Sequence, residues 1–145
     1  MDASGNPVQR RSTGAYALEE RSLIQRRDGF NLFGFIRYGP NDGNSNPIRR
    51  IVNTGIMIRA PFASRPDDVF GLAYTRSRIG AKCQTAQAAA GLAATHYEST
   101  WELTCRYAAM PWLAAQPVLQ EFRHPGADAS VESATVAGVR LEVSF

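Results

Sequence analysis

Between Tyr97 and Tyr107 the chain alternates two kinds of side chain. Glu98, Thr100, Glu102, Thr104 and Arg106 take every second position, and Tyr97, Ser99, Trp101, Leu103, Cys105 and Tyr107 take the others. Successive side chains of a strand point to opposite faces, so the first set forms one ladder of carboxylates, hydroxyls and a guanidinium. The mixture recurs with Arg140 and Glu142 two residues apart, Gln116 and Gln120 four apart, and Arg37 beside Phe33 and Phe35. These groups suit neutral polyhydroxylated solutes. Carboxylates, amides and guanidinium forks make paired hydrogen bonds with hydroxyls, while aromatic rings cover flat C–H faces. The same residue types are routine on the wet face of a soluble sheet, and patterning alone leaves both readings open.

Other chemistries find little support. Asp67 and Asp68 are adjacent, so in a strand they diverge, and in a turn they cap backbone amides. There is no GxSxG, HExxH or phosphate-binding loop. Cys83 and Cys105, like His96 and His124, lack metal-ligand spacing. PNDGNSNP (40–47) is oxygen-rich but has no distal glutamate at calcium-loop spacing, and reads as a turn-rich loop. The 16 basic side chains, 15 of them arginine, are scattered among 13 acidic ones without forming a nucleic-acid footprint. The expectation is a non-enzyme with no cofactor, no metal and no nucleic-acid partner.

The elements that must position the ladder are strands, because apolar residues repeat with period two far more often than 3.6. Seven are expected, over 14–24, 30–39, 49–60, 68–79, 96–109, 112–123 and 133–145. No crossover helices fit between them, so neighbours should pair antiparallel as a meander. Only TAQAAAGLAA (85–94) has the composition for a helical turn or two. The connections alternate: 25–29, 61–67 and 110–111 are fairly short, whereas 40–47, 80–95 and 124–130 are longer. In a meander this places tight turns on one rim and long loops on the other, the asymmetry of transmembrane β-barrels. Pro117 falls mid-strand, where it removes a ladder donor. Glu121 and Arg76 fall on otherwise apolar faces, near the long-loop ends of their strands, where a membrane interface tolerates charge.

Several stretches together resemble the C-terminal part of the carbohydrate-selective porin family (OprB-type): SRPDDVF followed by GLAYTR, AMPWLAAQPVLQEFRHPG, FGFIRYGPNDGNSNPI and the terminal VRLEVSF. The resemblance runs over about 14–145. It implies an all-β fold, with these seven strands forming the last part of a 16-stranded outer-membrane barrel. It also implies diffusion of monosaccharides or small oligosaccharides past arginines, acidic residues and aromatics. Arg37, Glu102, Arg106, Arg140 and Glu142 are the matching polar positions, with Gln116 and Gln120 beside them as pore-lining candidates. Trp101, Tyr107, Trp112 and Phe145 are candidate membrane-interface aromatics, the last three at the short-turn rim. The direction of Thr75 and Arg76 is open, because the strand around 71–76 is short for the family. Phe145, with apolar residues two, four and six before it, resembles the C-terminal signal read by barrel assembly machinery. Outer-membrane lipid is the other implied partner.

The N-terminus, MDASGNPVQRRSTG, lacks the apolar core of a signal peptide. The expectation is a polar segment over 1–13, partial barrel over 14–145, and a chain carrying a barrel's end without its beginning. The competing expectation is a soluble β-sandwich or small barrel that binds a ligand.

Overall fold

The computed structural model describes residues 12–43 and 45–145. Seven strands, β1 (Ala17–Gln25), β2 (Asn31–Pro40), β3 (Ile48–Arg59), β4 (Val69–Ile79), β5 (Tyr97–Met110), β6 (Leu113–Arg123) and β7 (Ala134–Val143), form one sheet in chain order. Every neighbouring pair is antiparallel, as an all-β meander requires. The strands run from 9 to 14 residues, enough for tilted strands to cross a hydrocarbon core, which needs about 9–11.

Local chemistry sets the element ends. In the β1–β2 turn Asp28 accepts the Phe30 amide. Gly14 makes only an isolated bridge to Asn41, so β1 starts at Ala17 instead of at 14. β7 ends at Val143, but the Ser144 amide still donates to the Trp112 carbonyl at 2.9 Å and ties the C-terminus to the β5–β6 turn. Pro117 leaves the β5–β6 ladder without paired rows at Cys105 and Arg106, yet the register is the same on both sides of the gap.

The β4–β5 loop contains a helix, α1 (Ala81–Ala89), four residues earlier than alanine content suggests. Its C-terminus explains the shift. Gly91 takes φ +77°, and the Gly91 and Leu92 amides donate to the Ala88 and Gln87 carbonyls, a Schellman ending that stops the helix before Leu92.

Cross-strand partners share a face, so the register sorts the side chains. One face carries Ile56, Leu72, Leu103, Leu119 and Ala137 in a single row across β3–β7, with Ile36, Ile58, Phe70, Val139 and Leu141 around it. The other carries Asn53, Thr75, Thr100, Glu102, Thr104, Gln116, Gln120 and Arg140. On β1 the first face turns polar, with Glu19 and Arg21 opposite Ile36 and Gly34, so the apolar band covers β2–β7.

Among the described residues no large side chain is fully buried, and the buried apolar ones are Ala60, Ile79, Ala114 and Ala127. The apolar face is instead the open one: Leu103 is 50% exposed, Val139 69% and Leu141 68%. A sandwich would bury that face against a second layer. A continuous apolar surface of this extent on a protein wall marks contact with lipid or another protein.

Candidate functional site

The polar face of β5, β6 and β7 holds three neighbouring groups of side-chain contacts. The Gln120 amide nitrogen donates to Glu102 at 2.5 Å from the directly opposite position on β6. The Gln116 amide nitrogen donates to the Thr104 hydroxyl at 2.9 Å, and that hydroxyl donates to the Pro117 carbonyl at 3.2 Å. Arg106 reaches across β6 to β7, donating through Nε and Nη2 to one Glu142 oxygen at 3.0 Å. Ala114, opposite Glu142 in the ladder, is small enough to leave that span open. Arg106 and Glu142 are each about a third exposed (37% and 34%), which leaves hydrogen-bonding capacity facing open space. Arg140, opposite Gln116, makes no ion pair among the described residues.

Six of the seven polar residues singled out in the sequence thus gather on three strands. Arg37 shares their face but lies on β2, opposite Asn53. Its surroundings form a second patch. The Asn53 amide donates to the Thr75 hydroxyl at 2.6 Å, and the Phe35 ring packs against Gly55. A Cβ at residue 55 would come within 2.7 Å of that ring and 2.6 Å of the Leu72 carbonyl oxygen, so only glycine admits the ring there. The Asn53–Thr75 pair and Gly55 escaped sequence reasoning. Their signal, one polar residue and one glycine in phase with the polar face, shows only once the register is known.

Two long loops meet at one end of this face. Glu98 accepts the Gly126 amide at 3.0 Å, Gln87 donates to the Gly126 carbonyl at 2.8 Å, and the Thr95 amide donates to the Ala127 carbonyl at 2.8 Å. The α1 loop and the β6–β7 loop are therefore stapled together. Asp128 supports the staple by accepting the Ser130 hydroxyl (2.7 Å) and amide (2.9 Å), which hold its carboxyl below the usual carboxylate range.

At the opposite, short-turn end, Arg65 and Asp68 lock the β3–β4 turn onto β5. Asp68 is 5% exposed and accepts Arg65 Nε (2.8 Å), Arg65 Nη2 (3.0 Å) and the Ala108 amide (2.9 Å). Arg65 Nη2 also donates to the Ala108 carbonyl at 3.0 Å, and its guanidinium lies 3.9 Å from the Tyr107 ring centroid. The hydrogen bonds from Arg65, with that of Ala108, hold the Asp68 carboxyl below its ordinary range against the opposing effect of burial. The reciprocal pairing raises Arg65.

The aromatics singled out in the sequence fall on the apolar face or its rims. Tyr107 is on the apolar face near the short-turn end, and Trp112 lies in the β5–β6 turn. Phe145 follows β7, fully exposed. Trp101 lies higher on β5, its ring centroid 4.7 Å from that of Tyr74. Thr75 faces the polar side with Asn53, and Arg76 points to the apolar side over Tyr97, 3.9 Å from the ring centroid. Cys83 and Cys105 are both free. In the PNDGNSNP loop, Asp42 accepts the Ser45 hydroxyl at 3.2 Å, while Asn44 lies outside the described residues.

An antiparallel meander with alternating short and long connections, one open apolar face and one ladder of hydrogen-bonding groups has the form of a pore wall. The family model described as carbohydrate-selective porin, OprB family, matches residues 2–145. The chain belongs to that family. Porin B of Pseudomonas aeruginosa is 25% identical over an alignment covering 81% of this chain and 28% of Porin B. A solved structure of Pseudomonas putida OprB, described as a high-pH form, superposes with a TM-score of 0.81 at 21% identity. That match covers 91% of this chain and 35% of the solved one. The chain thus spans about a third of the length of the OprB-type porins it matches, and its sheet has the fold of part of their wall.

Proposed function

We propose that the chain forms part of the wall of an outer-membrane pore admitting monosaccharides or small oligosaccharides by passive diffusion, without catalysis or cofactor. The observation that carries this is the back-to-back pairing of faces on β5–β7. Leu103, Leu119, Val139 and Leu141 lie exposed on one side, and the Glu102–Gln120 and Arg106–Glu142 contacts lie on the other. Lipid would meet the first side and water the second. Glu102, Gln120, Arg106 and Glu142 already hold partners within the wall, so a hydroxyl passing them exchanges one modest hydrogen bond for another, about 0.5–1.5 kcal/mol net. Such weak, multiple contacts let solute enter without trapping it. In this reading Arg37, Arg106, Arg140, Glu102, Glu142, Gln116 and Gln120 contact solute. Phe33 and Phe35 supply flat surfaces beside Arg37.

Both edges of the sheet, β1 and β7, need partners, since unpaired backbone is not tolerated in hydrocarbon. Seven strands in alternation leave β1 and β7 running the same way. Closing an antiparallel barrel on them takes an odd number of further strands, and nine would give sixteen. Tyr107, Trp112 and Phe145 form an aromatic girdle at the short-turn rim in this arrangement. Phe145, exposed and preceded by Val143, Leu141 and Val139, is suitably presented to barrel assembly machinery.

Isotonic swelling of liposomes containing a closed barrel, in which this chain replaces the matching strands of the Pseudomonas putida OprB it superposes on, tests the proposal. Swelling should fall as sugar size rises and should respond to Arg106 and Glu102 substitutions. A barrel of this kind that inserts, resists heat on gels and gives background swelling with every sugar would refute it.

A further inference from the structure

The rim next to the long loops carries a cluster of cations on the wrong side for the pore. Arg50 on β3 and Arg78 on β4 are directly opposite in the ladder, on the apolar face shared with Ile56 and Leu72. Like charges directly opposite one another are destabilising. Neither residue makes an ion pair among the described residues. The Tyr97 ring brings a further arginine beside Arg78: Arg76 is 3.9 Å and Arg78 5.9 Å from its centroid. On this face Glu121 is engaged by Arg123 at 3.0 Å, while Glu98, next to Tyr97, points to the polar side. Asp42 lines an adjoining hollow with Arg49. Tyr38, Pro40, Asn41, Arg49, Arg50 and Arg78 surround an open hollow of about 290 Å³.

We infer that this hollow binds the phosphate of an outer-leaflet glycolipid headgroup, whose acyl chains run down the apolar face past Ile56 and Leu72. Three features select that occupant. Guanidinium forks bind phosphate oxygens in pairs, and an anion between Arg50 and Arg78 removes their mutual repulsion. Four of the six residues around the hollow, Tyr38, Pro40, Arg50 and Arg78, fall on the face that continues into the apolar band, away from the polar face. Its height is that of the long loops, the external rim of such barrels. The inference rests on reading the apolar face as lipid-facing, and not on which solute the pore admits.

The test is thermal unfolding of the chain folded in neutral detergent, titrated with purified lipopolysaccharide, with its enzymatically dephosphorylated form, or with inorganic phosphate. The phosphorylated glycolipid should raise the melting temperature and the dephosphorylated form should not. In the Arg50→Gln/Arg78→Gln variant the unliganded melting temperature should hold or rise, because a like-charge pair is gone. Its apparent affinity for the glycolipid should fall by roughly ten- to hundredfold, as expected for losing one or two charge-assisted hydrogen bonds. Arg50→Lys, which keeps the charge and loses the fork, should give an intermediate affinity and guards against a misfolded double variant. An equal shift with the dephosphorylated form, an equal shift in the double variant, or saturation by inorganic phosphate at matched concentration would overturn the assignment. Sugar-dependent liposome swelling is read separately, so failure here leaves the pore reading to stand or fall by its own assay.

Discussion

Replacing Asp68 with alanine should loosen the short-turn rim by a predictable amount. The carboxylate satisfies the Ala108 amide at 2.9 Å and two Arg65 donors at 2.8 and 3.0 Å, and it is 5% exposed. Its loss leaves a shielded backbone donor unpaired, at a cost of about 1–3 kcal/mol. The Arg65 side chain is about a third open to solvent (31%) and can be rehydrated, so the ion pair itself adds little. A destabilisation of about 1–3 kcal/mol is therefore expected in urea unfolding of the detergent-folded chain. The pH dependence provides a second check. Asp68's carboxyl is held below its ordinary value of 3.8, so its stabilisation is fully present above that value and is lost as pH falls through the folded-state value. The gap between wild type and Asp68→Ala should thus be constant near neutrality and close in acid. A gap below about 0.5 kcal/mol at neutral pH, within the range of ordinary surface substitutions, would refute the clamp. So would a gap that persists unchanged into strong acid.

Three further outcomes are expected. Gly55→Ala should displace the Phe35 ring and cost about 1–3 kcal/mol as an overpacked site; unchanged stability with an unchanged Phe35 environment by NMR would count against the close approach at 2.7 Å. Arg106→Gln should alter stability by no more than about 1 kcal/mol, because the Arg106–Glu142 pair is partly solvated, but should leave Glu142 uncompensated and raise cation over anion permeability in planar bilayers. Removing Phe145 should slow insertion by purified assembly machinery while leaving spontaneous detergent folding nearly unchanged, since Phe145 follows the end of β7 and is fully exposed.

Much of the fold was legible because period-two alternation, short turns and long loops are local signals. All seven expected strands exist, with ends that move by no more than three residues where backbone pairing decides. What alternation could not provide is register. Glu102 meets Gln120 and Arg106 meets Glu142 across 18 and 36 residues of chain, distances set by how each turn closes. Arg37 has the same residue type and face as Arg106, yet the order of the strands places it on β2, away from β5–β7. The direction of Arg76, undecided from a short strand, follows from pairing with Ser99 and stacking on Tyr97. The opposed Arg50 and Arg78 were invisible for the same reason: each reads as an ordinary strand-end arginine until β3 and β4 are paired.

Cysteine accessibility along β7 tests the wall most directly. In a Cys83→Ser/Cys105→Ala background, single cysteines placed from Val136 to Val143 of this chain, carried in a closed bilayer-inserted barrel in which it replaces the matching strands of Pseudomonas putida OprB, would be probed with a water-soluble, membrane-impermeant maleimide and a lipid-soluble one. A pore wall predicts strict alternation: positions 136, 138, 140 and 142 react with the aqueous reagent, and 137, 139, 141 and 143 with the lipid-soluble one. Equal aqueous labelling at both sets would contradict it.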